Sequence, residues 1–267
     1  MAGTVVNTSE GSKFKPGDEV YCRIEAMRPG AAREYTLARE IELAHKPKNL
    51  SWTDAAATPL SALTAWQSIF TQGILEPSAI FGDEEARGRN GKRRILITAA
   101  GGSVGGWAVQ FAAAAGTGGI VATCQGSKAD AVRALGATET IDYRSQTVED
   151  WVQQDPAGRE VDAIADCIGG PSMGQLWSAL KQGGTFMSIS GSPNDVKPEN
   201  CQKSAAKSEF FVVESLGSDL AKISTLLESG SFKPLVDSVM EFEQFQEAFD
   251  KVESRKTNGK VILKVTI

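Results

Sequence analysis

The sequence predicts an α/β fold with a doubly wound parallel sheet, preceded by a smaller β-rich segment. Between residues 51 and 230, short β-type runs alternate with helical patterns, which is typical of a parallel sheet with helices on both faces. The first of the central β-type runs also enters its helix through a turn of small residues. Right-handed crossovers between such strands give the doubly wound arrangement.

The central elements follow from their hydrophobic patterns. The apolar runs 95–98 and 120–123 predict strands on either side of an Ala-rich helix at 104–115, which together form a βαβ unit. An earlier Ala-rich helix is expected at 53–72, and the polar stretch 75–92 is expected to be an exposed loop. Further strands are predicted at 138–141, 162–166, 185–190 and 210–214, and further helices near 128–135, 147–154, 172–181 and 216–229.

Both ends of the chain lie outside this alternation. In residues 1–50, strands are predicted at 3–6, 20–24 and 34–37, with a Pro-Gly-Asp turn before the second. Residues 231–267 predict an amphipathic helix at 243–253 and a last strand at 260–265. Three phenylalanines share one face of that helix, and we expect them to face the core: Phe242, Phe245 and Phe249.

The turn after the first central strand has the spacing of a dinucleotide-binding fingerprint, Ala100-x-Gly102-x-x-Gly105, with Ala in the first glycine position. We expect Ala100 to permit the tight turn, Gly102 to admit a pyrophosphate, and Gly105 to let the helix pack closely on the strand. Ser103 and Val104 open that helix, whose N-terminus carries a partial positive charge. The alternative is a glycine-rich turn that binds nothing.

The end of the next strand indicates which dinucleotide would bind. NAD-type sites usually place a carboxylate there, about 20 residues after the glycines, to hold the ribose 2′-hydroxyl. This chain has Cys-Gln-Gly-Ser-Lys at 124–128 instead. Ser127 and Lys128 could donate to a 2′-phosphate, which favours NADP(H) over NAD(H). Alternatively, Ser127 and Lys128 only open the following surface helix, where Ser is a good N-cap, and both interpretations can hold together.

Composition excludes several classes of function. The 267 residues carry a net charge of −5, which argues against a nucleic-acid partner. No run of about 18 apolar residues predicts a membrane span. The first residues lack the order of a secretory signal, so we expect a cytoplasmic protein. The partner that we expect is a small-molecule substrate.

Metal and disulfide chemistry have little support in the sequence. The four cysteines are scattered and form no Cys-x-x-Cys pair, so they are interpreted as reduced thiols. His45 is the one histidine of the chain and lies in a polar connection. Because a zinc site needs several such ligands at close spacing, we expect no metal.

Several motifs together resemble a known family. FKPGDEVY, KPKNLSWTDAAATPLSALTAWQSI, ILITAAGGSVGGWAVQFAAAAG, LGATETIDYRSQ, VDAIADCIGG and NGKVILKV occur in this order along nearly the whole chain. They resemble the zinc-independent quinone oxidoreductase and enoyl reductase branch of the medium-chain dehydrogenase/reductase family. The resemblance implies a GroES-like β domain made from residues 1–50 and 231–267, with a Rossmann domain at 51–230 between them.

The resemblance also implies an activity and a set of cofactor contacts. The activity is hydride transfer from NADPH to a polarised C=C or quinone acceptor. Lys128 and Tyr143 match positions that contact the 2′-phosphate, although Tyr143 is equally an ordinary strand-end aromatic. Thr64 resembles a residue that reaches the nicotinamide ribose, or else bonds only to its own helical turn. Four further residues match positions that line the nicotinamide and its ribose: Cys167, Ile168, Ser190 and Gly191.

The chain departs from the family pattern at its start, where relatives carry a longer β segment of about 60 residues. A shortened β domain would expose strand edges that a homo-oligomer could cover. No catalytic acid is identified, although Glu25, Glu34 and Tyr35 are available in the front segment. Two functions stay open: an NADPH-dependent reductase, or a truncated reductase fold reused as a cyclase, an isomerase or a cofactor-binding partner subunit.

Overall fold

A computed structural model describes residues 1–254 and 256–265 of the chain. The chain forms two compact units. One comprises Met1–Leu63 and the segment from Glu214 onward, and the other comprises Thr64–Val213. These bounds differ from those expected near residues 50 and 230, because helices near both junctions belong with the β-rich unit.

The secondary structure of the described residues consists of short strands and helices. The strands are β1 (Ala2–Thr4), β2 (Glu19–Cys22), β3 (Leu43–His45), β4 (Arg94–Ile97), β5 (Gly119–Cys124), β6 (Glu139–Asp142), β7 (Val161–Asp166), β8 (Leu180–Ser188), β9 (Ala205–Phe210), β10 (Val236–Glu241) and β11 (Lys260–Lys264). The α-helices are α1 (Trp52–Ala57), α2 (Pro59–Trp66), α3 (Glu84–Asn90), α4 (Ser103–Ala114), α5 (Ala129–Ala134), α6 (Val148–Gln153), α7 (Pro156–Arg159), α8 (Gly217–Glu228) and α9 (Phe245–Glu253). Shorter 3₁₀ turns include Pro77–Phe81, Gly126–Lys128 and Pro171–Ser178.

The larger unit is built on one six-stranded parallel sheet in the order β6-β5-β4-β7-β8-β9. The chain moves outward from β4 through β5 to β6, then returns to the other side of β4 with β7. The strand order therefore reverses beside β4, and open sheets of this kind bind ligands at the carboxyl ends of the strands on either side of such a reversal. The predicted doubly wound α/β fold is confirmed.

Apolar side chains fill both faces of this sheet. On one face, α6 and the 171–178 turn bury a cluster that includes Trp151, Trp177 and Phe186 against the strands. Elsewhere in the unit, Trp66 meets Phe111 of α4 edge to face, with ring centroids 5.3 Å apart. Fully burying a side chain such as that of Phe186 contributes about 1.5–3 kcal/mol, so these clusters stabilise the sheet.

The smaller unit contains an antiparallel sheet, β1-β2-β3, and a separate parallel pair, β10-β11. Helix α8 packs on β3 at Gly217, where a Cβ would overlap the Leu43 carbonyl. The buried Tyr21 of β2 anchors the same helix, because its hydroxyl donates to the Leu220 carbonyl at 3.0 Å. This unit supplies the separate, smaller β domain that the sequence predicts.

Several predicted elements differ from the observed ones. The expected helix at 53–72 is divided, because Pro59 begins α2 directly after α1 and a π-helical turn, Gln67–Thr71, follows. The expected loop at 75–92 contains α3, whose N-cap Asp83 accepts a bond from the Ala86 N–H. The strand expected at 210–214 lies at 205–210, at the edge of the sheet, where polar residues are tolerated.

Two predictions for the smaller unit are wrong. Residues 34–37 form no strand, and β2 pairs with β1 on one side and with β3, at 43–45, on the other. The aromatic face of α9 is not a core face, since Phe245 and Phe249 are about half exposed while Ala248 is buried. Amphipathic spacing alone does not say that something covers the apolar face.

Candidate cofactor site

The turn after β4 is made by Ala99 rather than by Ala100. Ala99 has a φ of 51°, which lies in the left-handed region that glycine occupies most readily. Ala100 is instead fully buried, and its N–H donates to the Thr123 carbonyl of β5 at 2.9 Å. The expected role of Ala100 in the tight turn therefore passes to Ala99. The fingerprint spacing alone does not distinguish the two positions, because residues 99 and 100 are both alanine.

The glycines of the turn keep α4 close to the strand. A Cβ at Gly105 would lie 2.5 Å from the Ala99 carbonyl oxygen and 2.8 Å from the Ala100 Cα, and both are backbone atoms. A Cβ at Gly102 would meet the same carbonyl oxygen at 3.2 Å. The backbone turn and the helix therefore approach as closely as this motif requires for a bound pyrophosphate.

The N-terminus of α4 is suited to bind an anion. Gly102 is its N-cap, and no side chain caps the helix. The N–H groups of Ser103, Val104 and Gly105 open the helix, and its dipole concentrates positive potential at this end. The close backbone turn at Gly102 and the uncapped N-terminus of α4 together fit a pyrophosphate group.

Lys128 lies across this turn. It ends the Gly126–Lys128 turn after β5, and its Nζ donates to the Gly101 carbonyl at 3.0 Å. The lysine stem fills the space beside Gly101, where a Cβ would lie 2.6 Å from the Lys128 Cδ. Among the residues that the structure describes, no carboxylate forms an ion pair with Lys128. Its positive charge is therefore held at the turn by a neutral partner.

Ser127 and Tyr143 lie on the same edge of the sheet as Lys128. Ser127 is exposed and caps no helix, since the N-cap of α5 is Lys128 and the 3₁₀ turn starts after Gln125. Tyr143 directly follows β6, is 54% exposed, and donates its N–H to the Cys124 carbonyl at 3.3 Å. The ends of β5 and β6 are thus joined, and both side chains are accessible to a ligand.

A carboxylate also lies at this edge, and the sequence reasoning missed it. A Cβ at Gly126 would be 2.5 Å from Oδ2 of Asp142, the last residue of β6. Asp142 pairs in register with Cys124 at the end of β5. The expectation of no carboxylate rested only on the end of β5, whereas the neighbouring strand β6 supplies one. The available signal was the Asp directly before Tyr143 in the sequence.

Asp166, at the end of β7, organises the centre of the edge. It is 2% exposed, and its Oδ1 accepts the Thr98 hydroxyl at 2.8 Å. Its Oδ2 accepts the Gly169 N–H at 2.8 Å and the Ser188 hydroxyl at 3.0 Å. Sequence reasoning did not select this residue, although polar residues at the ends of three neighbouring strands were a visible signal. Asp166 holds the loop after β7 in one conformation.

The loops after β7 and β8 meet beside this carboxylate. The Cys167 N–H donates to the Thr98 hydroxyl at 2.8 Å, and Ile168 is half exposed. A Cβ at Gly169 would lie 2.6 Å from the Ser190 Cβ, so the two loops are in contact. Gly191 has open space around its Cα. Burial, and then the charge of Asp166, raises the pKa of the Cys167 thiol, which is therefore neutral and a poor nucleophile.

A cavity of about 80 Å³ opens at the same edge. It connects the two groups of predicted residues, because both Tyr143 and Ile168 line it. The other lining residues include Thr98, Thr123, Asp166 and Gln175. Thr64 does not line it; this residue is buried in α2, where its carbonyl accepts the Ser68 hydroxyl at 2.8 Å.

The described part of the chain shows neither a metal-binding cluster nor a membrane-spanning helix. Within residues 1–254 and 256–265, no three His, Cys, Asp or Glu side chains are grouped so that they could hold a metal ion. The ring of His45 lies 5.0 Å from that of Phe14, in the smaller unit. No helix within these residues has both the length and the apolar character needed to span a bilayer.

Comparison with known proteins identifies the class. Residues 135–263 match the family model described as zinc-binding dehydrogenase. A relative from Arthroderma benhamiae, named as a probable zinc-binding oxidoreductase, mitochondrial, is 46% identical over 99% of this chain and 78% of its own length. The chloroplastic quinone-oxidoreductase QR1 of Triphysaria versicolor is 30% identical over 98% of this chain and 78% of its own.

A solved structure shows the same architecture. An alcohol dehydrogenase superfamily protein from Novosphingobium aromaticivorans superposes with a TM-score of 0.79 at 26% identity, over 99% of this chain and 80% of its own. The fold and edge geometry define a Rossmann-type oxidoreductase. The chain belongs to the medium-chain dehydrogenase/reductase family, and it is an oxidoreductase of the quinone or zinc-binding oxidoreductase type. Oxidoreductases of this family bind a nicotinamide cofactor.

The comparisons overturn one prediction, the cytoplasmic location. The 46% identical relative is named as mitochondrial, as is the zebrafish NAD(P)H oxidoreductase RTN4IP1, which is 29% identical over 94% of this chain and 67% of its own length. The prediction rested on the first residues of the sequence. These relatives extend beyond the matched segment, so those residues carry no information about targeting.

Proposed function

We propose that this protein is a mitochondrial, NADPH-dependent reductase of a polarised C=C bond or a quinone. The observation that carries the proposal is the position of Lys128 on the glycine turn, beside the uncapped N-terminus of α4. A positive side chain and a helix N-terminus that both lie at the carboxyl ends of the strands suit a ligand with two separate phosphate groups. The mitochondrial location is proposed from the names of the relatives.

The adenosine end of the cofactor would be held by residues that follow β4, β5 and β6. The first N–H groups of α4, at Ser103, Val104 and Gly105, would bind the pyrophosphate. Lys128 would exchange its neutral partner, the Gly101 carbonyl, for the 2′-phosphate, and a charged acceptor gives the stronger hydrogen bond. The exposed Tyr143 would add a hydroxyl donor beside it.

The nicotinamide end would be held by the loops after β7 and β8. A bound reduced nicotinamide supplies the hydride, and the protein binds and orients it. Asp166 fixes the Cys167–Ile168 backbone, and Ser190 packs against the same loop, so this edge is preorganised. The neutral thiol of Cys167 would not form a covalent adduct with an electron-poor acceptor. Water can supply the proton that completes a C=C reduction.

Binding and turnover with Lys128→Ala test the proposal. We expect the wild type to bind NADPH and to oxidise it with members of a panel of enones and quinones, followed by nicotinamide absorbance. Lys128→Ala should raise the NADPH dissociation constant about 10- to 100-fold and change that of NADH little, since one charge-assisted bond is lost. The control is Lys92→Ala. Lys92 is exposed and lies just before β4, at the end of the sheet where the parallel strands begin.

The other outcomes are equally informative. Tight NADPH binding without oxidation across the panel would overturn the reductase and favour a non-redox catalyst or a partner subunit built on this fold. Failure of the wild type to bind either nucleotide would overturn every function that depends on a cofactor. An equal effect of Lys128→Ala on NADPH and NADH would remove the phosphate-selecting role of Lys128.

A further inference from the structure

We propose that Asp142 opposes Lys128 at the adenosine end of the site, and that this opposition limits the preference of the protein for NADPH over NADH. The proposal rests on the proposed function, because it concerns selectivity at the same cofactor site. It predicts that the carboxylate of Asp142 weakens binding of a 2′-phosphate and supports binding of an unphosphorylated ribose. Asp142 is thereby assigned a specificity-determining role.

The geometry places Asp142 against the turn that carries Lys128. Cys124 and Asp142 are paired residues at the ends of neighbouring parallel strands. The chain turns immediately after Cys124, and Asp142 Oδ2 occupies the space where a side chain on Gly126 would begin. Gly126 is the first residue of the short turn that ends at Lys128. The carboxylate therefore lies against the turn from which the Lys128 side chain extends toward the Gly101 carbonyl.

The Asp142 carboxylate has capacity for another donor. Its Oδ1 accepts the Arg144 N–H at 3.1 Å, which closes the turn after β6. Within the described residues, Oδ2 has no hydrogen-bond donor and Asp142 forms no ion pair. Lys128 is likewise without an acidic partner in that part of the chain. Both charged residues follow or end neighbouring strands at the carboxyl side of the sheet, and they form no ion pair with each other.

The pKa of the Cys124 thiol responds to both charges. Burial is the main cause that raises the pKa of the Cys124 thiol, and the Asp142 carboxylate raises it further. Arg133 and Lys128 act on the same thiol in the opposite sense. Of these two cations, Arg133 is engaged by Asp130 and by the Thr140 hydroxyl, whereas Lys128 has no acidic partner among the described residues.

The two cofactor forms should respond oppositely to this arrangement. A 2′-phosphate carries close to two negative charges at neutral pH, so Lys128 attracts it and Asp142 repels it. A ribose 2′-hydroxyl is neutral and can donate a hydrogen bond to a carboxylate, which is how NAD-type sites use an acid at a strand end. Asp142 lies on the neighbouring strand rather than on β5, but its Oδ2 reaches the residues that follow β5.

The test is Asp142→Asn, with fragments that isolate the adenosine end. Asn keeps the size of the side chain and an oxygen that can accept the Arg144 N–H, so the turn should persist. Adenosine 2′,5′-bisphosphate and adenosine 5′-monophosphate are titrated calorimetrically, together with NADPH and NADH. We expect the affinity for the bisphosphate and for NADPH to rise about tenfold, because one repulsive charge is removed. The affinity for the monophosphate and for NADH should fall about threefold.

A matched variant controls for net charge. Asp130→Asn removes one carboxylate from the neighbouring helix α5, where Asp130 is fully exposed and pairs with Arg133. It should change both affinities less than twofold, since the charge is screened by solvent. If Asp142→Asn changed the bisphosphate-to-monophosphate ratio no more than Asp130→Asn does, the assigned role of Asp142 would be wrong.

The result separates this inference from the function on which it rests. The role of Asp142 alone would be overturned if the wild type bound NADPH, Lys128→Ala weakened that binding, and Asp142→Asn left all four affinities unchanged. A wild type that binds none of the four nucleotides would overturn both. A thermal unfolding scan of each variant shows whether an affinity change reflects the site or a loss of folded protein.

Discussion

The Thr98 hydroxyl donates to Oδ1 of Asp166 at 2.8 Å, and this bond joins the carboxyl ends of β4 and β7. The same hydroxyl accepts the Cys167 N–H at 2.8 Å, so the Thr98 side chain also ties the end of β4 to the loop that follows β7. Ser188 of β8 donates to the other carboxylate oxygen. A single buried acid thus links three adjacent strands at the edge where the cofactor would bind.

Asp166→Ala should therefore be strongly destabilising. It leaves the hydroxyls of Thr98 and Ser188 and the Gly169 N–H without their acceptor, and unsatisfied buried donors cost about 1–3 kcal/mol each. Allowing for relaxation, we expect the free energy of unfolding to fall by about 3 kcal/mol in urea titrations at constant m-value. Asp166→Asn should lose less, because it retains one acceptor. A loss below about 1 kcal/mol for the alanine variant would contradict the network.

The parallel sheet could be predicted because its information is local. Each strand is a short β-type run, each helix follows at a regular distance, and the fingerprint marks the first corner. The residues that decide the details depend on neighbours far apart in the sequence. Asp142 reaches the turn after β5 only because β5 and β6 are paired, and Asp166 meets Thr98 across another strand pair. Neither relation can be derived from spacing along one strand.

The two segments whose secondary structure was predicted wrongly also differ for specific physical reasons. The segment 75–92 reads as a loop because charges and Gly88 obscure a helix that Asp83 caps. The strand expected at 34–37 does not form, and its last residue is held by Arg28, which donates to the Leu37 carbonyl at 2.9 Å. Arg28 is itself fixed by the buried Glu42, whose Oε2 accepts from it at 2.8 Å. Such long-range pairing overrides a weak β propensity.

Gly105 and Gly88 allow a matched test of the cofactor corner. Both lie inside helices, but a Cβ at Gly105 would clash with the backbone of Ala99, whereas a Cβ at Gly88 would meet nothing within 4 Å. Gly105→Ala should lower the free energy of unfolding by about 2 kcal/mol through overpacking. Gly88→Ala should raise it by about 0.5–1 kcal/mol, because alanine is the better helix former. Both values come from urea unfolding.

The same pair of variants also separates folding from binding. Because Gly105 holds α4 against the turn, Gly105→Ala should weaken NADPH and NADH binding alike, as the pyrophosphate is common to both. Gly88→Ala, in the exposed helix α3, should leave both dissociation constants unchanged. Equal behaviour of the two variants in stability and in binding would show that the close approach at Gly105 does not exist.

Acid titration of the smaller unit should show one strongly shifted carboxyl. Lys251 of α9 contacts Asp237 of β10 at 2.5 Å, and the Asn258 N–H donates to the same carboxylate at 2.8 Å. The bond from Lys251 is the main cause that lowers the pKa of Asp237 from 3.8 to about 2. A lowered pKa means that folding favours the ionised form. Its stabilising contribution is complete above pH 3.8 and is lost as the pH falls through about 2.

The measurement is a carboxyl-carbon NMR titration of Asp237, combined with urea unfolding of Asp237→Asn. The wild type should be more stable than the variant at neutral pH, and the difference should shrink between about pH 4 and 2 as Asp237 takes up its proton. A titration midpoint near 4, or a stability difference that does not change with pH in this range, would show that Lys251 does not hold the carboxylate.

Two adjacent alanines should respond oppositely to the same substitution. Ala99 has a φ of 51°, and the left-handed region costs a residue with a Cβ about 1–2 kcal/mol. Ala99→Gly removes that strain but makes the unfolded chain more flexible, which costs about 0.5–1 kcal/mol. We therefore expect a net gain of about 0.5 kcal/mol. Ala100 is fully buried without a positive φ, so Ala100→Gly should lose about 1–2 kcal/mol, from one methyl group and from chain entropy. Urea unfolding of both variants under one condition decides the matter: losses of equal size would mean that Ala99 is not strained and that the turn begins at Ala100, as the fingerprint spacing alone predicts.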